Sequence, residues 1–149
     1  MADAEMRRMV ADLPAPEFES PAFTSPPPLS EATVALVTTA GLMRPGEEWH
    51  PQEGHTGFNV FRRDERDLIV GHQSTNFDRT GIAADCNVAF PIDRLEELAN
   101  DGVIRAVARR HLSFTGPIMD LTTLVVDSGP AAGALLRGDG VDVVLLIPV

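Results

Sequence analysis

The densest run of chemistry-bearing side chains is Asp78-Arg-Thr-Gly-Ile-Ala-Ala-Asp85-Cys86-Asn87, followed by Phe90-Pro91 and then Asp93-Arg94. It stands between a strand-like segment and a helix start, where a turn can gather carboxylates, an amide and a thiol on a pocket rim. Asp78, Asp85, Asn87, Asp93 and Arg94 are therefore the candidate pocket or substrate residues. Aspartate and asparagine at turns also hydrogen-bond their own backbone and cap helices, so the same residues have a structural reading. Asp93 and Arg94, on the first turn of the helix, are expected to pair and fix that turn. Cys86 has one basic neighbour in sequence, Arg79, and no Cys-x-x-Cys partner, which makes it a small core hydrophobe rather than a nucleophile.

Other chemistries find less. His50, His55, His72 and His111 are scattered at spacings that converge no three or four donors, so no metal is expected. Ser74 and Ser113 lie in no Gly-x-Ser-x-Gly elbow and have no nearby base in a triad order. Thr38-Thr39-Ala40-Gly41 follows a strand as a phosphate-binding turn would, yet the chain has no Gly-x-Gly-x-x-Gly and no lysine at all.

The elements that must hold these residues read as α/β. Thr33 to Thr39 is β-branched and apolar, a buried first strand ended by Ala40-Gly41. Met43 to Gly57, rich in Pro and Gly, is a loop; Phe58 to Phe61 and Asp67 to His72 are shorter strands. Pro91 opens a helix through Ile92 to Asn100, with Ile92, Leu95 and Leu98 or Ala99 on one face and Gly102 beyond its end. Val103 to Phe114 reads as a short strand leading into a turn at Ser113 to Gly116. Asp120 caps a helix from Leu121, and Pro130 opens a second helical stretch through Leu136. Val141 to Ile147, bounded by Gly140 and Pro148, reads as a fully buried strand of a parallel sheet. Reactive groups in such sheets sit just beyond the strands' carboxyl ends, so an active-site turn and crossover helix are expected after Val149. The alternation predicts a mainly parallel sheet with flanking helices in Rossmann-like layers, over residues 31–149. Residues 1–30 form an extended Pro-rich arm, with a short helix near Met6 to Leu13.

With 149 residues and 44% apolar content the chain holds one core. Its net charge of -10 opposes nucleic acid as a partner. One cysteine excludes an internal disulfide and fits a reducing cytoplasm, and no run approaches a membrane span.

Several segments in order resemble one family. Thr38-Thr39-Ala40-Gly41, Asn76-Phe77-Asp78-Arg79, Asp85-Cys-Asn-Val-Ala-Phe-Pro-Ile-Asp-Arg-Leu95 with Glu97-Leu98, Gly102-Val-Ile104, His111-Leu-Ser-Phe-Thr-Gly116 and Asp139-Gly-Val-Asp-Val-Val-Leu-Leu-Ile-Pro148 resemble the selenoprotein B family of glycine, sarcosine, betaine and D-proline reductases. The Asp-x-Asn-x-x-Phe-Pro-Ile-Asp-Arg-Leu segment is the most specific. Asn76 stands where the D-proline branch commonly has histidine, and Thr115 where the family usually has methionine.

The resemblance implies a subunit for reductive C–N cleavage of an amino acid or amine. In the family, the segment resembling Val-Leu-Leu-Ile-Pro-Val149 is followed at once by selenocysteine or cysteine, two residues and a cysteine. It implies a selenocysteine codon, UGA, after Val149, a pyruvoyl group on a partner subunit, and a thioredoxin-like or dithiol electron donor; by itself the chain would be inactive. Two alternatives stand beside it: a non-catalytic domain binding a small molecule or partner, and a truncated remnant.

Overall fold

The computed structural model describes residues 3–12, 16–20, 23–47, 57–71, 78–116, 118 and 120–149. In chain order the elements are α1 (Asp3–Ala11), β1 (Thr33–Thr38), β2 (Leu42–Met43), β3 (Asn59–Arg62), β4 (Ile69–Val70), α2 (Thr80–Ala84), α3 (Ile92–Asn100), β5 (Ala106–Val107), β6 (Arg110–Ser113), α4 (Gly129–Gly138) and β7 (Val143–Ile147).

The fold is α/β, built around β1. An uncharged, largely β-branched strand is suited to burial on both faces, and Ala35 and Leu36 are indeed fully buried. Parallel neighbours flank β1 on both sides. β7 pairs with it from Val34↔Val143 to Thr38↔Ile147. On the other side β5 pairs with its start and β6 with its end. β3 closes that side antiparallel to β6, from Asn59↔Ser113 to Arg62↔Arg110, so the sheet is mixed. Leu42 and Met43 of β2 form a separate two-stranded pair with β4.

The pleat sorts the core. Val34 and Leu36 face Phe61, Phe90, Ile92 and Leu95 under α3, while Ala35 faces Leu112, Phe114, Ala132 and Leu136 under α4. α3 begins and ends where its Pro91 and Gly102 signals put it, and Gly102 takes φ 74. α4 is entered through one π turn, Leu124–Ser128, with Pro130 in its first turn. Asp120 Oδ1 accepts the Thr122 N–H at 2.9 Å ahead of that turn, the cap that its position called for.

Three sequence expectations need correction. The segment read as one short strand after Val103 is two strands, because Ala108 and Arg109 are inserted between the β5 and β6 registers on β1. β7 is not fully buried: Val144, Leu145 and Leu146 are 38%, 42% and 69% exposed, since its second edge meets no strand among the described residues. An apolar sequence reports the burial a strand is built for, whereas edge or centre is decided by its neighbours. Between β4 and α3 the turn-like polar run folds as a short helix, α2, followed by one 3-10 turn, Cys86–Val88.

Candidate functional site

The polar run of the sequence forms one hydrogen-bonded cluster at the entrance to α3. Asp85 Oδ1 accepts both the Asn87 backbone N–H and its side-chain Nδ2, each at 2.9 Å. Asn87 Nδ2 also donates to Asp93 Oδ2 at 2.8 Å, while its Oδ1 accepts the Asp93 backbone N–H at 3.1 Å. Arg66 Nε completes the cluster on Asp93 Oδ1 at 2.7 Å. Asp85, Cys86, Asn87 and Asp93, with Arg66 and Phe90, line a cavity of about 340 Å³. Three of the five candidate residues therefore meet.

The other two do not join them. Asp78 Oδ1 accepts the Thr80 N–H at 2.8 Å and starts α2. Arg94 pairs with Glu97 at 2.7 Å on the exposed face of α3. The expected Asp93–Arg94 pair is thus replaced: Asp93 turns to Arg66 and Asn87, because those partners lie over the helix entrance whereas Arg94 points to solvent.

The electrostatics of this cavity suit scaffolding rather than proton transfer. Hydrogen bonds from Asn87, then Arg66, hold the Asp93 carboxyl below the usual range. The Asn87 amides do the same for Asp85. Burial pushes the Cys86 thiol up, and the Asp85 and Asp93 charges add to it. A thiolate nucleophile needs the opposite, a cation or helix start that favours the anion. The cavity holds ionised carboxylates and a neutral thiol.

A second constellation occupies the carboxyl ends of the parallel strands. The ends of β1, β6 and β7 come together, with Thr38 beside Ser113 on one side and Ile147 on the other. Beyond Thr38 the chain reverses through Gly41, whose φ of 62 favours glycine. Side chains stand in for ladder partners there. Ser113 Oγ accepts the Leu42 N–H at 2.9 Å, and Thr38 Oγ1 accepts the Ala40 N–H at 3.3 Å. Thr39 holds the end of β7: its N–H donates to the Ile147 carbonyl at 3.2 Å, and its Oγ1 accepts the Val149 N–H at 3.0 Å. Thr38, Ser113 and Thr115 are buried around this edge. Its position is where α/β sheets bind ligands, outside the carboxyl ends of their strands. His50, His55, His72, Ser74 and Asn76, named from the sequence, lie outside the described residues.

The sequence profile of the glycine/sarcosine/betaine reductase selenoprotein B family matches residues 4–148. The chain belongs to this family. It is also 34% identical over 120 residues to D-proline reductase subunit gamma of Acetoanaerobium sticklandii, an alignment covering 79% of this chain and 49% of that protein. The chain therefore spans about half the length of the curated relative it matches. No solved structure matches it.

Within this selenoprotein B family chain, the segments that carried the resemblance fall on both constellations: Thr38 to Gly41 and Ser113 to Thr115 on the carboxyl edge, Asp85 to Asp93 on the α3 entrance. Arg66 is not named from the sequence at all, and Thr39 and His111 are weighed there only for a phosphate turn and a metal site. Arg66 lies 27 residues from Asp93 and in none of the segments that carry the resemblance. His111 is wholly buried, and its Nδ1 accepts the Leu36 N–H at 3.0 Å beside the Ala108-Arg109 insertion. A histidine next to a strand break is a signal only once the break is known.

Proposed function

We propose that this chain is part of a cytoplasmic reductase subunit of the selenoprotein B type, cleaving a C–N bond of D-proline, glycine, sarcosine or betaine. The redox group in this reading is a selenocysteine or cysteine that follows Val149, with a resolving cysteine three residues on. The observation that carries it is the seat of Val149. Thr39 anchors this residue to the carboxyl edge of β1, so a side chain directly after it would emerge at the place where such sheets hold their reactive groups.

The step balances with two electrons from a dithiol. The selenolate or thiolate attacks the carbon bearing nitrogen, forming a carbon–chalcogen bond as the C–N bond breaks and its electron pair goes to nitrogen, which becomes a free amine from glycine, sarcosine or betaine and a tethered one from the D-proline ring. The resolving thiolate then attacks the selenium or sulfur, carbon takes up a proton, and a selenenyl sulfide or disulfide remains. A thioredoxin-like or small dithiol donor reduces that bond and is itself oxidised. A pyruvoyl group on a partner subunit would activate the substrate. Asp85, Asn87, Asp93 and Arg66 take no reacting role in this reading: they brace the entrance of α3.

Sequencing the locus tests the reading. It requires UGA or a cysteine codon directly after the Val149 codon, followed in frame by two residues and a cysteine. UAA or UAG at that place, or no such frame, overturns it and leaves a binding module or remnant. Assays with dithiol and each substrate add a second check. The 149-residue chain is expected to be inactive, whereas the chain extended through the resolving cysteine and joined by its partner subunit is expected to turn over.

A further inference from the structure

β7 has the sequence of a central strand and the position of an edge. Val143 to Ile147 carries no charge, no proline and no glycine. Natural edges are blunted by charges, proline, bulges or brevity, since unpaired backbone groups beside apolar side chains invite association. The opposite edge of this sheet obeys that rule: β3 is antiparallel and carries Asn59 and the exposed Arg62. β7 does not. Leu145 is 42% exposed on the α3 face, and Val144 and Leu146 are 38% and 69% exposed on the α4 face. Val143 and Ile147 are held in the core under α3, so the strand itself is firmly placed.

We infer that the free edge of β7 takes up a further parallel strand, with its covering helix, from a polypeptide corresponding to the half of D-proline reductase subunit gamma that this chain does not match. Two observations choose this occupant. The relative is about twice the length of the aligned region, 49% of it being matched, so a segment of domain size is available in the family. The exposure lies on both faces of β7 as well as along its edge, and a strand with a helical crossover covers all three. A second copy of this chain fits less well, because pairing across a two-fold axis would set the β7 strands antiparallel and bring no element over either face. The inference rests on the family relationship and on β7, not on the redox step.

The test co-expresses the 149-residue chain with the unmatched half of D-proline reductase subunit gamma as a separate polypeptide. A 1:1 complex is expected, with amide exchange across Val143 to Ile147 slowed by about tenfold or more relative to the chain alone. Leu146→Lys is expected to weaken that complex about tenfold or more while leaving the thermal midpoint of the chain by itself unchanged, as an exposed strand position allows. No complex, unchanged exchange at β7, or full affinity with Leu146→Lys overturns the inference. A homodimer of the chain that protects β7 equally well overturns the assigned occupant. None of these readouts is activity, so a failure at β7 leaves the proposed chemistry standing, and a failed codon test at the locus leaves the docked strand standing.

Discussion

Asn87 uses both ends of its amide, and that decides between the two readings of its neighbourhood. Its Nδ2 binds two carboxylates and its Oδ1 takes a first-turn N–H of α3, the task of a helix cap performed from outside the cap position. Asn87→Ala should therefore cost about 1–2 kcal/mol, read as a lower denaturant midpoint with unchanged slope. A residue reserved for substrate would leave stability alone. Cys86 gives a companion expectation. Half-buried against the core cluster under α3 and with its thiol pushed up, it should react with a thiol reagent far more slowly in the native protein than in urea. Equal rates would return it to the list of nucleophiles. The sequence made Asp85, Asn87 and Asp93 legible as a group because they lie within nine residues of one another. It could not show that Asn87 satisfies both carboxylates, nor that Arg66 arrives from the β3–β4 connection.

At the scale of elements, the interruption between β5 and β6 is the least legible feature and the one with the clearest physical signature. The inserted Ala108 and Arg109 remove a carbonyl from the ladder opposite Leu36, and His111 Nδ1 supplies the acceptor instead. An accepting Nδ1 requires the neutral ring. Burial pushes this imidazole from 6.5 down to about 4, with the Glu96 charge and the Ala108 backbone pulling weakly the other way. The unfolded chain thus binds a proton in this window that the native one resists. The stability involved is complete above pH 6.5, falls as pH drops toward 4, and changes no further once both states are protonated; the full loss is about 3 kcal/mol. His111→Asn retains an acceptor without the titration. Its urea midpoint should stay level from pH 7 to 4.5 while that of the wild type declines. Below that range both should weaken, because Asp93 and Asp139 have depressed carboxyls whose contribution is lost as pH falls through them. By contrast β1 and α3 were readable residue by residue, since each has one dominant signal, a β-branched apolar run or a Pro-started amphipathic turn pattern. β7 had such a signal too, but exposure belongs to the assembly of elements rather than to any one of them.

The whole molecule carries a net charge of -10, yet five of its arginines gather at one place. Arg62, Arg63, Arg66, Arg109 and Arg110 line an open cavity of about 840 Å³ with Asp64 and Glu96. It lies at the end of the β3–β6 ladder where β6 begins, away from the carboxyl edge with Ser113. Arg62 stands directly opposite Arg110 across the two strands, an arrangement that costs stability unless anions intervene. Each of the five has a carboxylate: Asp64 binds Arg62, Glu96 binds Arg63, Asp93 binds Arg66, and Asp139 binds both Arg109 and Arg110. Asp139 is the pivot, for its side chain is only 1% exposed and meets Arg110 through two hydrogen bonds, at 2.6 and 2.7 Å. It also ends α4 just before the chain turns into β7, so it joins the arginine cluster to the strand that leads to Val149. Asp139→Asn keeps the size of the side chain but removes its charge and turns one of its two acceptors into a donor, leaving Arg110 opposite Arg62 without its own carboxylate. The thermal midpoint should fall by on the order of a few °C at low salt. The Asp139 side chain is buried but the Arg109 and Arg110 side chains reach solvent, so about 0.5 M NaCl should screen the repulsion and recover that part of the loss. The same salt step should recover far less of the loss in Asn87→Ala, whose missing interactions are short hydrogen bonds. Equal recovery in the two variants would show that Asp139 holds α4 and β6 together by packing rather than by charge.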